Sequence, residues 1–205
     1  MNRLELKSKA KKQLRGRWGV ALITVFVANL IINSSITKET IDFFGEFSSS
    51  VSISINIISL LFGGVISVGL SKFLLNFITN NEEPQFKDLF SNFNIYFKTL
   101  GLYILMMLAI GIATLFLIIP GIIVALMFSQ AFYILAEDPS KRIFECLEES
   151  SNMMSGHKWD FFVLELSFIG WWLLAILTFG IAGLWISPYQ NLTEANFYLS
   201  LKNYK

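Results

Sequence analysis

The sequence predicts an all-α membrane protein: one domain over 1–205, built as a polytopic bundle of six transmembrane helices with amphipathic interfacial helices. Three observations predict it. Hydrophobic residues make up 54% of the chain and charged residues only 15%, where a soluble domain carries about 25% charge. The charges are clustered, so long segments between them hold almost none. Two such segments, Phe161–Phe179 and Ile181–Leu199, each have about the 20 residues needed to cross a hydrocarbon core.

Residues 1–17 carry seven Lys or Arg against one acid, Glu5. Leu6, Ala10 and Leu14 recur every fourth position, drawing a thin apolar stripe along a basic helix over about 3–17. Such a helix suits an anionic membrane face, and it equally serves as a signal holding the N-terminus in the cytoplasm. The first span follows at about 18–36. It follows a basic start as the core of a signal peptide would, but its length and lack of a small-x-small site read as a retained anchor. Residues 37–50 form a polar loop, with Lys38 the lone cation there.

The second span, about 51–75, places Ser52, Asn56, Ser59, Gly63, Ser67 and Ser71 at helical spacing. Small residues in such a stripe let helix backbones approach closely in lipid; a polar path along it is the other reading. Phe86, Leu89, Phe90, Phe93 and Phe97 then predict an interfacial helix over 86–97.

From Leu100 to Ala136 the chain is apolar throughout. A single helix of that length would be about 55 Å long, far thicker than the bilayer core. Pro120-Gly121 is a turn signal, so it divides the stretch into spans at 100–119 and 121–136. Asp138-Pro139 reads as an N-cap and first-turn proline, opening an interfacial helix over 139–155 that Gly156 ends. The last two spans, 161–179 and 181–199, complete three antiparallel hairpins.

Charge sets the expected orientation. Of the 16 Lys and Arg, 15 fall on the side of the two termini. The positive-inside rule then makes this a multi-pass protein with both termini cytoplasmic. The net charge of +1 gives no reason to expect a nucleic-acid partner, and one cysteine excludes an internal disulfide.

Each of the last two spans carries a carboxylate, Glu165 and Glu194. On the sixth, Ser187, Gln190, Asn191, Glu194 and Tyr198 share a face, and Pro188 leaves the Leu184 carbonyl without its helical donor. Together they predict a polar seam opening toward the cytoplasm. A carboxylate in the bilayer must be paired, hydrated or protonated. Arg15, Arg17, His157 and Lys158 are the nearby candidate counter-charges. Two readings stay open: a proton, cation or headgroup site, or glutamates that lock helices together.

The sequence offers no H-E-x-x-H, no G-x-x-x-x-G-K-[ST] and no G-x-S-x-G, so no catalytic residue, metal or cofactor is assigned. His157, the single histidine, reads as a surface residue, and Trp171, Trp172 and Trp185 read as packing and interface anchors.

Pro120-Gly121, Asp138-Pro139, the run from Glu148 to Gly156, Phe161 to Trp171, Thr178 to Gly180, Pro188-Tyr189 and Phe197-Tyr198, with the basic N-terminus leading to Trp18, resemble domain-of-unknown-function family 975. The resemblance covers nearly the whole chain. It implies a six-span protein of the bacterial plasma membrane and brings no activity or catalytic residue. The expected role is non-enzymatic: binding anionic lipids of the cytoplasmic leaflet, or a partner membrane protein. A small transporter or channel using the Glu165–Glu194 seam is the alternative.

Overall fold

The computed structural model describes residues 2–32, 49–79 and 83–203, with side chains of the second stretch described from Ser59 onward. All regular structure among these residues is helical. Asn2 caps α1 (Arg3–Leu14), its side chain accepting from Leu4 N–H at 3.2 Å, with Glu5 in the first turn and Lys11 and Lys12 in the last. That charge order complements the helix dipole. Gly16, at φ 81°, then reverses the chain, and α2 (Trp18–Ile32) leaves at 109° to α1.

Leu6, Ala10 and Leu14 are buried on one side of α1. The stripe faces the protein rather than lipid, and α1 packs chiefly against the last helix, α10 (Gly183–Lys202). On α2, Ala21, Thr24, Val25 and Ala28 are buried, while Ile23, Phe26 and Leu30 are exposed.

α3 (Ser49–Thr79) is the most enclosed of the apolar helices. Ser59 donates to the carbonyl of Ile32 at 2.8 Å, satisfying an acceptor at the end of α2. Backbone meets backbone at two glycines beside the predicted small-residue stripe, whereas Gly63 of the stripe itself meets the Tyr103 side chain, 3.1 Å from a hypothetical Cβ. A Cβ on Gly64 would stand 2.6 Å from the Thr99 carbonyl oxygen, and one on Gly69 2.0 Å from that of Leu89. The side chains of Ser52 and Asn56 of that stripe, most of the 37–50 loop and the end of the first predicted span lie outside what the structure describes.

The expected helix over 86–97 is instead two 3-10 turns, Phe86–Phe90 and Phe93–Ile95. Asp88 accounts for this. Its buried carboxylate accepts from the Gln85 N–H at 3.0 Å and from Asn76 of α3 at 3.3 Å, winding the segment around one acceptor.

α4 (Tyr96–Phe116) and α5 (Ile118–Phe128) form a hairpin, but the break is at extended Leu117, not at Pro120-Gly121. Pro120 lies in the first turn of α5, where a missing N–H costs nothing. Gly121 lets Thr114 close on it, with 2.2 Å from the hydroxyl to a hypothetical Cβ. The fourth predicted span is itself broken, since α6 (Ala131–Glu137) begins after a kink at Ser129–Gln130. Ser150 bridges that kink: its hydroxyl donates to Met127 O at 2.8 Å and accepts from Gln130 N–H at 3.2 Å.

The helix predicted over 139–155 starts later, as α7 (Ile143–Met153). Asp138 accepts from both the N–H and the hydroxyl of Ser140, a local turn that competes with helix initiation. The fifth predicted span is α8 (Lys158–Leu166) and α9 (Ile169–Leu177), interrupted at Ser167–Phe168. Phe179 (φ 51°) and Gly180 (φ 86°) make the left-handed turn into α10.

Among the described residues, four helical stretches are long and apolar enough to cross a membrane: Ser59–Thr79, Phe86–Phe116, Ile118–Glu137 and Lys158–Leu177. The bent pair α1–α2 makes a fifth if it is one span. The expectation of six is thus met only in part. α10 is 20 residues long, but Gln190, Asn191, Thr193, Glu194 and Asn196 make it polar. Its middle is covered by protein, with Leu192, Thr193, Ala195, Phe197 and Tyr198 all buried. A polar helix is sheltered from lipid there, and it forms the axis around which α1, α2, α3 and α9 pack.

Candidate functional site

The candidate site forms where α8, α10 and α1 meet. Gln190 of α10 donates through Nε2 to Glu165 Oε2 at 2.6 Å, and its Oε1 accepts the indole N–H of Trp172 at 2.8 Å. An indole nitrogen can only donate, so Trp172 fixes the amide's orientation and turns its NH2 toward the carboxylate. The other oxygen, Glu165 Oε1, is buried without a hydrogen-bond partner.

Glu194 lies one helical turn beyond Gln190, close enough that the Glu165 charge acts on it and that Gln190 interacts with both carboxylates. Tyr133 of α6 is buried where both charges reach it. Its ring stacks on Tyr198 with centroids 5.3 Å apart.

The remaining seam residues divide. Asn191 turns back along its own helix, donating to the Ser187 carbonyl at 2.8 Å. Tyr198 donates to Glu137 Oε2 at 2.7 Å, and Lys202 pairs with the same carboxylate. Glu137, Tyr198 and Lys202 therefore tie α6 to the end of α10.

The cation acting on Glu165 is Lys7, which sequence reasoning did not single out. Its ammonium lies 4.0 Å from the centre of the Phe168 ring and donates to Ser167 O at 3.1 Å. The four expected counter-charges are placed otherwise. Arg15 is exposed at the end of α1, and Arg17 stands 6.0 Å above the Phe77 ring. His157 Nδ1 meets Asp160 Oδ2 at 3.2 Å. Lys158 borders an apolar groove of ≈ 430 Å³ between α5 and α8. Lys7 was legible in principle, since it adjoins buried Leu6 on the stripe that seats α1. A second tether also escaped notice: Asn196 donates to Gln13 at 2.7 Å, and Gln13 donates back at 3.4 Å.

Away from this cluster, α1 turns its cations outward. Lys9, Lys11, Lys12 and Arg15 are exposed, with Glu5 the single acid among them, 3.2 Å from Lys9. Two grooves flank the helix. One, of ≈ 400 Å³, is lined by Asn2, Arg3, Leu4, Lys7 and Ser167. The other, of ≈ 200 Å³, is lined by Lys11 and by Trp18, Trp171, Trp185, Ile186 and Tyr189. On α7, burial pushes the Cys146 thiol up to about 11, so it offers little nucleophilic thiolate near neutrality.

A family model described as "Protein of unknown function (DUF975)" matches the chain over residues 1–120 and again over 110–205. No curated protein and no solved structure matches it.

Proposed function

Because the chain belongs to the DUF975 family, whose description names no activity, its role has to be read from its own residues, and we propose that it is a non-enzymatic membrane protein that binds anionic lipid through α1. The observation that carries this reading is the seating of α1. Buried Leu6, Ala10 and Leu14 and the Gln13–Asn196 pair hold the helix to the bundle. Lys9, Lys11, Lys12 and Arg15 are left outward. A free amphipathic helix would spend its apolar face on lipid. Here that face is spent on protein, so the outer face contributes charge alone, about 1 kcal/mol per cation near an anionic surface.

The polar groups around Glu165 fit the same role, since Gln190, Trp172 and Lys7 draw α8, α9, α10 and α1 together. Counted over the six crossings that the sequence predicts, 15 of the 16 Lys and Arg fall on one side, which supports a cytoplasmic, anionic-side placement of both termini and α1.

The test is thermal unfolding in detergent during titration with phosphatidylglycerol or phosphatidylcholine. Phosphatidylglycerol should raise the midpoint more, and added salt should shrink the difference. The combined variant Lys9→Gln, Lys11→Gln, Lys12→Gln, Arg15→Gln should lose it. Equal stabilisation by both lipids, or an unchanged variant, would remove the proposal.

One observation favours a transporter or channel instead: buried Glu165 Oε1 lacks a partner beside a second carboxylate. Proteoliposome flux lost on replacing Glu165 and Glu194 by Gln would support that reading, and flux that survives would discard it.

A further inference from the structure

We infer that the groove between α1, α2, α9 and α10 seats a single anionic phospholipid, its phosphate on Lys11 and an acyl chain along Trp18, Trp171 and Trp185. This rests on the lipid-binding reading above and narrows it from a charged face to one built site.

The groove draws on four helices, so it is a product of the tertiary fold. Lys11 comes from α1, Trp18 from α2, Trp171 from α9, and Trp185, Ile186 and Tyr189 from α10; the groove measures ≈ 200 Å³. Ile186 is 5% exposed, whereas Trp171 and Trp185 are 49% and 50% exposed. An apolar floor with half-open indole walls suits a slender apolar chain.

The polar chemistry of the groove is weighted toward donors. An ammonium and indole N–H groups are donors only, and the Tyr189 hydroxyl can donate as well as accept. Trp172, just outside the groove, gives its N–H to Gln190. Among the described residues, no protein acceptor takes the N–H of Trp18, Trp171 or Trp185. A ligand matching this inventory brings acceptors and negative charge at one end and hydrocarbon at the other. Phosphate and glycerol-ester oxygens followed by an acyl chain meet that description. Tryptophan also favours the headgroup boundary, where one edge of the ring is wet and its body is not. Lys11 lies on the exposed face of α1 between Lys7 and Arg15, so the mouth of the groove opens into the positive field that concentrates anionic lipid.

The test is quenching of tryptophan fluorescence in dodecyl maltoside by phosphatidylglycerol or phosphatidylcholine carrying brominated acyl chains, using the full chain. The expected result is half-quenching at a lower mole fraction of phosphatidylglycerol than of phosphatidylcholine. Lys11→Gln should shift the phosphatidylglycerol curve about fivefold, and Lys11→Arg should restore it. Lys12→Gln, an exposed cation of the same face that does not line the groove, should shift it by less than half as much. Trp185→Phe should lower the saturating amplitude. Equal shifts for Lys11→Gln and Lys12→Gln would overturn the groove and leave the charged-face proposal standing. No difference between the two lipids in the unaltered protein would overturn both.

Discussion

The side-chain amide of Gln190 donates to the carboxylate of Glu165 across the α8–α10 contact at 2.6 Å, and it is oriented for that by Trp172. One side chain thus satisfies a buried carboxylate oxygen and an indole N–H together.

Replacing Gln190 with Leu leaves both partners without this bond. A hydrogen bond to a charged group is worth about 1.5–3 kcal/mol, while Trp172 is exposed and loses little. The expected loss is about 2 kcal/mol, read as a fall in unfolding midpoint in detergent. Glu165→Gln in the same background should recover part of it, because the group left stranded is then uncharged. An additive double variant would show that the two residues are not coupled.

Gln13 and Asn196 exchange hydrogen bonds between α1 and α10. Gln13→Leu and Asn196→Leu should each cost about 1 kcal/mol, and the double variant little more than either. Limited proteolysis within residues 2–17 checks this directly. Both single variants should be cut faster near Arg15 and Arg17, while the rest of the chain keeps its resistance.

Gly69 and Gly170 separate packing from helix propensity. A Cβ at Gly69 would meet the Leu89 carbonyl oxygen at 2.0 Å, whereas at Gly170 nothing lies within 4 Å. Gly69→Ala should therefore push the Phe86–Phe90 turn off α3 and cost about 3 kcal/mol or more. Gly170→Ala should be neutral or slightly stabilising. Monodisperse yield and thermal midpoint distinguish the two.

Cys146 gives the pH prediction. Burial raises its thiol to about 11, so the proton stays on through the range where an ordinary cysteine, near 8.5, ionises. Maleimide labelling of the folded protein should stay slow from pH 7 to 9. Denaturant should restore the normal rise with pH. Rapid labelling of folded protein at pH 8 would contradict the burial of α7 against the core.

The apolar stripe of α1 was legible because Leu6, Ala10 and Leu14 repeat at one helical spacing, but what it meets was not: the spacing is the same for a lipid face and for the protein face it packs on. The meeting of Glu165 with Gln190 was legible because a short turn pairs their two helices antiparallel. The α4–α5 break was not. Leu115, Phe116, Leu117, Ile118 and Ile119 are all exposed, so an apolar tip surrounded by apolar neighbours leaves no periodic signal. Pro120 drew attention to itself, although a proline in a first turn breaks nothing. The α5–α6 kink depends on the hydroxyl of Ser150, distant in sequence, and local pattern carries no trace of it. Tyr198 shared a face with Glu194 as expected, but its hydroxyl reaches Glu137 on α6, a partner that only the packing of α6 on α10 supplies.

The central claim is that the outward cations of α1 select anionic lipid, and native mass spectrometry after solubilisation from an equimolar mixture of phosphatidylglycerol and phosphatidylcholine tests it most directly. The account predicts retention of phosphatidylglycerol in excess, and loss of that excess when Lys9, Lys11, Lys12 and Arg15 are replaced by Gln. Equal retention of the two lipids by the unaltered protein, or an excess that survives those replacements, would contradict it.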